Sequence, residues 1–470
     1  MKLILTHGYF LNEDSAEQRI MKPYPPLGVL YISAYLKENG IENKIFDTTF
    51  SSKSELKKYL LEEKPDYIAI YVNLMTKVNV LEIIRFIKST ESIGKTKIIL
   101  GGPEIRYNVS HLLEHGADFV VIGEGEETTL ELINILEMKN GNDFKNINGI
   151  GFKDAKGKIV FNSERSLIPD IDTLPIPNRN GIDISKYQKV WKQHHKLDAI
   201  SVSTMRGCPY TCRWCSRAVY GLTYRRRSPH KVVQELIQIK AEYNPDTIWF
   251  VDDVFTISHK WLSGFSEEMK RKNLKIKYEC ITRADRLNEE VIKTMKETGC
   301  FRVWIGAESG SQRIIDAMDR RVKVEQVREM IQLSRKYGIE AGTFIMLGYP
   351  GETEKDIEET ISHLKISNPD YFTITVAYPI KGTEFFEEIE ANQLDAFDWE
   401  KQSDRDRDFV RTYPKRYYDY AVRRVVNEVR FHQKKNNGSI GSEVLKFKLK
   451  SYAAKAGMFW IRKSKWMTSN

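Results

Sequence analysis

Three of the five cysteines in the chain lie within eight residues, in the pattern Cys208-x-x-x-Cys212-x-x-Cys215. The residues just before them, 199–203, alternate as a β-strand does, so the cysteines are predicted to lie on the loop that leaves this strand. A short loop with this spacing can wrap three thiolates around one face of an iron–sulfur cube, which usually takes four cysteines. Three ligands leave one iron open, and an open metal position is what chemistry requires. The spacing therefore predicts a 4Fe-4S centre with a free coordination site.

Two other interpretations of the cysteines agree less well with the chain. A zinc site usually has paired Cys-x-x-Cys motifs or Cys/His pairs, whereas Cys280 and Cys300 are isolated and are interpreted as core residues. A disulfide framework is not expected in a long chain with few cysteines. Arg206, Arg213 and Arg217 flank the motif and would favour thiolates, although these arginines alone would equally fit a solvated basic surface.

With Trp214 before its last cysteine, the motif resembles that of the radical S-adenosylmethionine (radical SAM) superfamily. In that family the open iron binds the amino and carboxylate groups of SAM, and one electron cleaves SAM to a 5′-deoxyadenosyl radical that abstracts hydrogen. The resemblance implies that Cys208, Cys212 and Cys215 are the catalytic and metal-binding cysteines. It also implies a reducing partner such as flavodoxin or ferredoxin.

Residues 1 to about 140 alternate short apolar runs with amphipathic stretches, which is the pattern of a parallel α/β sheet. The predicted strands are residues 2–6, 43–47, 67–72, 97–100 and 119–122. The predicted helices are residues 27–39, 52–63, 78–89 and 127–138.

Small and polar residues follow several of these strands, at Asn73, Gly101-Gly102-Pro103 and Gly123-Glu124-Gly125-Glu126. In open α/β sheets, ligands bind beyond the carboxyl ends of the strands, where glycine lets the backbone approach a large ligand. The sequence has no GxGxxG and no P-loop motif. These residues by themselves therefore predict only a doubly wound ligand-binding domain.

Taken with the cysteine motif, these glycine segments and Pro25-Pro26-Leu27-Gly28 resemble the cobalamin-binding domain that precedes many radical SAM cores. The resemblance implies cobalamin contacts at Gly28, Asn73, Gly101, Gly102, Gly123 and Glu124. A domain of this type that has lost cobalamin binding is the alternative.

The histidines of this half do not match cobalamin domains of methionine-synthase type, which supply an axial ligand from an Asp-x-His-x-x-Gly motif. His7, His111 and His115 are the only histidines here, and they are interpreted as surface or capping residues. Cobalamin is therefore expected to bind without a protein histidine on cobalt.

Residues 149–165 are predicted to form a hairpin that turns at 154–157, and the Pro-containing stretch 168–177 is typical of an interdomain linker. From about residue 196 to 385, six strand-like runs alternate with helical segments. The runs are residues 199–203, 247–251, 275–281, 302–306, 340–347 and 371–377. Six βα units match the partial (β/α) barrel of radical SAM enzymes, where catalytic groups gather at the carboxyl ends of the strands.

The predicted fold class is α/β, in four parts. These are an N-terminal Rossmann-like cobalamin-binding domain (1–145), a hairpin and linker (146–195), a partial (β/α)6 radical SAM barrel (196–390) and a mostly helical C-terminal extension (391–470).

Polar residues follow the barrel strands in an order that suits SAM. A zwitterionic methionyl group needs a carboxylate near its ammonium and a cation near its carboxylate, and the ribose diol needs an acceptor. By resemblance, Asp252 and Asp253 occupy the position that contacts the SAM amino group. Glu308 occupies the usual ribose contact, and Arg283 is the candidate partner of the SAM carboxylate. For any one of them alone, a helix cap or a surface ion pair would be the better interpretation.

The C-terminal region loses the βα alternation. Residues 408–433 are predicted to form a long helix, which 436–439 would end. The segments 445–450 and 458–463 are basic and aromatic. Contact with an anionic membrane surface or a lipid substrate is one interpretation, and a helix packed over the barrel mouth with its lysines in water is the other.

Composition narrows the class of protein. The chain of 470 residues is long enough for two domains and an appendage. No apolar run is long enough to cross a bilayer and the start does not resemble a signal peptide, so a cytoplasmic location is expected, with peripheral membrane contact left open. The net charge of +9 permits an anionic ligand but argues strongly for none, and no nucleic-acid partner is expected.

The residues and the resemblance together indicate a cobalamin-dependent radical SAM enzyme. Within that family the commonest outcome is methylation of an unactivated carbon or phosphorus, in which one SAM methylates cobalamin and a second generates the radical. Ring formation or rearrangement without methyl transfer is an alternative, and a small molecule, a lipid or a peptide could be the substrate.

Two alternatives come from other classes. A methylthiolating enzyme acting on tRNA would carry further cysteines upstream, whereas all five cysteines here lie at or after Cys208. A non-catalytic corrinoid- or cluster-binding sensor would not need Asp252, Arg283 and Glu308.

Overall fold

The computed structural model describes residues 1–138, 143–391, 397–436, 438 and 441–467, with the backbone alone for 464–467. These residues form two compact units. The first unit comprises Met1–Pro209, Arg217–Trp249 and Asp398–Ser403, and the second comprises Tyr210–Ser216, Phe250–Phe397 and Asp404–Asn470.

The first unit contains a seven-stranded sheet. Its strands are β1 (Leu3–His7), β2 (Lys44–Phe46), β3 (Tyr67–Tyr71), β4 (Lys97–Gly101), β5 (Phe119–Val121), β6 (Ile150–Lys153) and β7 (Ile159–Phe161). The order is β2-β1-β3-β4-β5-β6-β7. Pairing is parallel from β2 to β5 and antiparallel in the β5–β6–β7 part. All five strands predicted for this half, and the predicted hairpin, are present.

Six helices accompany these strands. They are α1 (Ser15–Ile20), α2 (Leu27–Glu38), α3 (Lys53–Glu63), α4 (Lys77–Ser89), α5 (Val109–Glu114) and α6 (Glu126–Glu137). The four helices predicted from periodicity are observed with small shifts at their ends, and α3 begins with a capping box between Ser52 and Glu55. The sequence prediction missed α1 and α5, because six residues are too few to show a helical period.

Alternate residues of the parallel strands enter two different cores. Ile68, Ile70 and Leu100 pack in one cluster, and Leu5 and Ile99 pack in the other. Both faces of the sheet are therefore buried, as in doubly wound folds. This arrangement leaves the carboxyl edge of the strands as the place for a ligand.

The first unit also contains the start of the barrel. Its further elements are α7 (Ile184–His195), β8 (Ala199–Val202), β9 (Met205–Arg206), β10 (Arg225–Arg226), α8 (Pro229–Tyr243) and most of β11 (Thr247–Phe250). Helix α7 lies within residues 146–195, the stretch assigned to a hairpin and linker, where the sequence analysis predicted no helix. Asp183 caps the helix, and Tyr187 and Trp191 bury its apolar side.

The second unit contains the remaining barrel elements and the C-terminal helices. They are α9 (His259–Arg271), β12 (Tyr278–Thr282), α10 (Glu289–Glu297), β13 (Cys300–Glu308), α11 (Gln312–Ala317), α12 (Val324–Lys336), β14 (Glu340–Leu347), α13 (Glu354–Ser367), β15 (Tyr371–Val376), α14 (Glu384–Glu390), α15 (Lys415–Asn436) and α16 (Ser442–Met467). Strands β12 to β15 pair in parallel in chain order. In chain order, β8 and β11 to β15 are the six strands of the predicted partial (β/α)6 barrel.

The C-terminal extension is helical, as predicted, but its first helix begins later than the sequence indicated. Helix α15 starts at Lys415, not at residue 408. The reason is Pro414, because the residue before a proline is disfavoured in the helical region. Of the predicted break at 436–439, Asn437 and Ser439 lie outside the described residues. Among the helices that the structure describes, none is long and apolar enough to cross a membrane.

Candidate cofactor site

A short hairpin in the first unit closes the base of the cysteine loop. Met205 pairs with Arg226 and Arg206 pairs with Arg225 across β9 and β10. Gly207 follows with φ of +82°, and a Cβ there would lie 2.4 Å from the hydroxyl oxygen of Thr223. Only glycine fits this position without strain. The half-buried Cys208 comes next in the chain.

In the second unit, the buried Cys212 lies beside two arginines. Nη1 of Arg320 is 3.6 Å and Nη1 of Arg283 is 3.7 Å from the Cys212 sulfur. Both guanidinium groups are buried. Two cations beside one sulfur are the charges that would balance an anionic cluster bound there. Cys215 follows half-buried, and its amide donates to the carbonyl of Cys212 at 3.2 Å.

Arg320 also contacts the end of β13. Its Nη2 donates to the Gly306 carbonyl at 3.0 Å and lies 3.7 Å from the Glu308 carboxylate. A Cβ on Gly306 would lie 2.2 Å from this nitrogen, so glycine is required for Arg320 to reach the site. Burial alone would lower the pKa of Arg320, but Glu308 and Cys212 keep it raised.

Glu308 has an unusual backbone. Its φ is +64°, at a register shift between β13 and β14. A left-handed conformation costs a residue other than glycine roughly 1–2 kcal/mol, and such strain is typical of functional positions. Burial raises the pKa of Glu308, while Arg320 and Arg283 act in the opposite direction. Glu308, the predicted ribose contact, is thus a buried carboxylate on a strained backbone, and Arg320 contacts both it and the Cys212 sulfur.

Arg283 is held on several sides by protein groups. Its Nε donates to Asp285 at 2.8 Å, and its Nη2 donates to the Arg320 carbonyl at 2.7 Å. Its guanidinium lies 3.8 Å from the centre of the Tyr210 ring. These contacts fix the cation next to Cys212. Its predicted contact with the SAM carboxylate stays a prediction.

The remaining predicted residues of the barrel occupy different environments. Asp252, which follows β11, is buried, whereas Asp253 is exposed. Cys280 and Cys300 are buried in the strands, and burial together with the neighbouring Cys300 raises the pKa of Cys280 well above its usual value. Cys280 is therefore a neutral core thiol.

The donors around Cys212 fit an anionic iron–sulfur group. Within the described residues, no three His, Cys, Asp or Glu side chains group closely enough to hold a metal ion by themselves. However, Nε of Arg320 is buried and has no hydrogen-bond partner in the described part of the chain. A buried donor of this kind is costly unless a further acceptor binds. The unsatisfied Nε–H of Arg320 would therefore have an acceptor in the anionic cluster that the cysteine motif predicts.

The sequence analysis did not single out Arg320, although its Nη1 lies as close to the Cys212 sulfur as that of Arg283 does. It stands in Asp319-Arg320-Arg321, and Arg321 is exposed. Nothing in the local pattern separates the two arginines, because only the path of the chain after α11 decides which one is buried.

The predicted cobalamin residues lie at the carboxyl edge of the sheet or just beyond it. A Cβ on Gly101 would meet nothing within 4 Å, whereas one on Gly102 would lie 2.4 Å from the Val72 carbonyl oxygen. Gly102 and Gly123 have φ of +115° and +87°. Gly28 lies in the first turn of α2. Gly101 leaves open backbone at the end of β4, which fits a large ligand, whereas Gly102 is glycine because it packs against the Val72 carbonyl.

The two polar members of this set have protein partners. The side-chain oxygen of Asn73 accepts from the amides of Met75 and Thr76 at 3.0 Å. The carboxylate of Glu124 accepts from the amide of Ile168 at 2.8 Å and from Arg206 and Arg225 at 2.7 Å each. Both side chains thus hold loops in place, and their predicted contacts with cobalamin stay predictions.

Arg206 belongs to a buried ion network that the sequence did not indicate. Besides Glu124, it donates from Nη2 to Glu126 at 2.5 Å. Burial opposes the charge of Arg206, but Glu126 raises its pKa well above the usual value. Arg225 keeps a buried Nε and Nη2 that have no partner in the described residues. The network joins the hairpin under the cysteine loop to the loop after β5.

His7 is not the surface or capping residue that was predicted. It is buried at the end of β1. Its Nε2 lies 2.9 Å from Asp47, and its Nδ1 lies 2.9 Å from the Thr48 hydroxyl. The prediction failed because the polar partners of His7, Asp47 and Thr48, are 40 and 41 residues away in the chain and cannot be recognised from its neighbours.

Comparison with known proteins agrees with this fold. The family model of the radical SAM superfamily matches residues 202–364, and that of the B12 binding domain matches residues 19–133. An uncharacterized methyltransferase of Pyrococcus horikoshii is 31% identical over 393 residues, which cover 81% of this chain and 82% of the relative. The chain belongs to the cobalamin-dependent radical SAM family. Its cofactors are those predicted: a 4Fe-4S cluster, SAM and cobalamin.

Two further similarities bear on fold and reaction. An anaerobic magnesium-protoporphyrin IX monomethyl ester cyclase of Rubrivivax gelatinosus is 26% identical over 85% of this chain and 72% of its own. The structure of the radical SAM methyltransferase TsrM from Kitasatospora setae, with cobalamin and a [4Fe-4S] cluster bound, aligns with a TM-score of 0.69 at 18% identity. That alignment covers 83% of this chain and 75% of TsrM, and it shows the shared fold.

Proposed function

We propose that this radical SAM enzyme transfers a methyl group from SAM to an unactivated carbon or phosphorus centre of its substrate. The observation that carries the proposal is the identity of 31%, over about four fifths of both chains, to a protein named as a methyltransferase. The buried site around Cys212 supports the radical part of this reaction, because it concentrates cations and a carboxylate where SAM and the cluster would bind.

The residues of this chain would form two cofactor sites, one for the cluster and SAM and one for cobalamin. Cys208, Cys212 and Cys215 would hold the cluster, with Arg320 and Arg283 balancing its negative charge. When bound, the cluster supplies the electron that cleaves SAM, and cobalamin supplies the metal that carries a methyl group.

Cofactor binding would use carboxylates on one side and open backbone on the other. Glu308 would orient the SAM ribose, and Asp252 with Asp253 would bind the SAM ammonium group. Gly101 would admit the corrin at the sheet edge. We expect a low-potential donor such as flavodoxin or ferredoxin to deliver the electron.

A second reaction has one specific observation in its favour. The cyclase of Rubrivivax gelatinosus matches 85% of this chain at 26% identity. Ring formation or rearrangement would use SAM cleavage and the corrin without transferring a methyl group to the product. The two reactions therefore differ in the fate of SAM.

The test is anaerobic purification with iron, sulfide and corrin analysis, followed by incubation with SAM and a low-potential reductant. Methyl transfer predicts about four irons per chain, bound cobalamin, and both 5′-deoxyadenosine and S-adenosylhomocysteine as products. With a turning-over substrate, 5′-deoxyadenosine without S-adenosylhomocysteine would favour the cyclase reaction. Zinc in place of iron would overturn both.

A variant separates the enzyme from a non-catalytic sensor. Glu308→Ala should retain iron and corrin, because Glu308 is not a predicted ligand of either, and should lose formation of 5′-deoxyadenosine. Cys280→Ala, which changes a buried thiol outside the cluster motif, is the control and should keep product formation. If Glu308→Ala preserved the biological activity of the protein, the sensor interpretation would be favoured.

A further inference from the structure

Helix α16 (Ser442–Met467) packs through one side only. Ser451, Ala454 and Met458 are almost inaccessible. Gly457 lies so close to α15 that a Cβ would be 2.5 Å from the Tyr420 ring. The spacing of these residues at three or four positions defines one buried face of the helix. The opposite face has a different composition.

An apolar stripe runs along that opposite, exposed face. Its members are spaced so that they share one side of the helix. They are Leu445, Leu449, Tyr452, Phe459 and Trp460. The side chains of Leu449 and Trp460 are 58% and 71% exposed. Several large apolar groups exposed along one face of a helix are unusual on a protein surface. Over this distance the stripe is roughly 22 Å long.

Cations border the stripe on both sides. Residues 444–463 contain six Lys or Arg and no Asp or Glu. At 100° per residue, exposed Lys446 and Lys450 lie on one side of the stripe and exposed Lys455 lies on the other. Half-buried Lys448 is not part of this border, because it pairs with Glu428 of α15. An exposed apolar stripe flanked by lysines is the pattern of a helix that lies in the interface of a membrane.

The chemistry of this face selects among occupants. A second copy of the chain would bring two sets of lysines together, and the cores of protein interfaces are poor in lysine. A nucleic acid would attract the lysines, but Leu445 and Leu449 offer its phosphates and bases nothing comparable. A bilayer with anionic lipids satisfies both features, because Leu, Phe and Trp enter the acyl boundary while lysines reach the headgroups.

We propose that α16 binds the surface of an anionic lipid bilayer through the stripe formed by Leu445, Leu449, Tyr452, Phe459 and Trp460. The helix lies on the bilayer and does not cross it. The exposed lysines that border the stripe, Lys446, Lys450 and Lys455, contact lipid phosphates. This surface is independent of the reaction at the cofactor site, so failure of one proposal leaves the other testable.

The test is flotation of the full-length, cofactor-loaded protein with two kinds of vesicle, phosphatidylcholine alone and phosphatidylcholine mixed with phosphatidylglycerol. Binding is expected on the anionic vesicles and should weaken as salt is added. The double variant Leu449→Glu and Trp460→Glu should lower the bound fraction on the order of tenfold. The matched control is Phe161→Glu, which places the same charge at an exposed aromatic residue of β7 and should bind as the parent does.

A milder variant locates the contact. Trp460→Phe keeps an aromatic group and should still bind, but it should lose much of the tryptophan quenching that brominated lipids cause in the parent. Equal binding to both vesicle types, or equal loss in Phe161→Glu, would overturn the proposal. So would a double variant that floats normally but has a smaller oligomeric state than the parent protein, because the stripe would then be a contact between copies.

Discussion

Adjacent arginines in this chain have opposite environments. Arg320 is buried beside Cys212 and Glu308, while Arg321 is exposed and pairs with Asp319 at 2.8 Å. An exposed ion pair contributes little, typically less than about 1 kcal/mol. A buried cation beside a cysteine sulfur acts in a lower dielectric, where its effect on a cluster bound to that sulfur is larger. Position in the fold, and not residue type, therefore gives Arg320 its role.

Replacing Arg320 with Met is predicted to make the cluster harder to reduce. Loss of a buried positive charge beside an anionic group favours the oxidised form. At a fixed potential, the ratio of reduced to oxidised cluster should fall about tenfold, which corresponds to about 59 mV for a one-electron couple. The measurement is a reductive titration monitored by electron paramagnetic resonance, with iron content determined on the same sample.

Arg321→Met is the matched control for this prediction. It removes the same charge from the next residue, in an exposed position, and its cluster should titrate as in the parent protein. Identical shifts in both variants would mean that net charge, and not the contact with Cys212, sets the potential.

At the scale of elements, the hairpin β9–β10 and the loop after β5 are joined by buried charges. Arg206 pairs with Glu124 and Glu126 at 2.7 and 2.5 Å, and Arg225 pairs with Glu124. A buried pair adds little net stability when it is complete, since desolvation offsets attraction. Removing one partner is costly, because it leaves a buried charge uncompensated. The network thus holds the base of the cysteine loop in one position.

Arg206→Met is predicted to lower the free energy of unfolding by about 3 kcal/mol or more, because Glu126 loses its cation and Glu124 loses one of two. The control Arg271→Met breaks the exposed pair with Glu268 and should have a much smaller effect on the free energy of unfolding. Urea unfolding of the full chain, followed by circular dichroism, measures both. Equal effects would show that the network does not hold the hairpin.

At the scale of the whole molecule, Glu428 ties the C-terminal extension to a barrel helix. On α15, it accepts from Lys365 of α13, and from Lys448 and Ser451 of α16, each at 2.8 Å. Burial tends to raise the pKa of Glu428, but these donors lower it to about 2. One carboxylate therefore connects three helices of the second unit.

The depressed pKa of Glu428 predicts a pH-dependent attachment. A carboxylate whose pKa is lower in the folded state stabilises that state above its unfolded pKa. The contribution is lost as the pH falls from about 4.5 towards 2. Glu428→Gln should therefore have a lower melting temperature than the parent at neutral pH, and the difference should shrink as the pH approaches 2. A difference that is constant with pH would contradict this role.

The fold could be predicted to a large extent because its signals are local. The alternation of apolar runs and amphipathic stretches predicted the parallel strands β1 to β5 and the six barrel strands. Pro414 shows a local signal that was overlooked, since the apolar stripe alone placed the start of α15 too early. Helix α7 was not predicted because the prolines at 169, 175 and 177 led to the assignment of the whole stretch up to residue 195 as hairpin and linker.

The sequence by itself determined the cysteine spacing, the order of the polar strand ends and hence the family, because each of these patterns consists of residues that are close together in the chain. Only the tertiary structure decided which charges meet. Arg206 and Glu126 are 80 residues apart, and Arg320 and Cys212 are 108 apart. The physical reason is that burial and pairing depend on how distant segments pack, and the residues next to an arginine in the sequence do not show whether its guanidinium group lies in water or beside a cysteine sulfur.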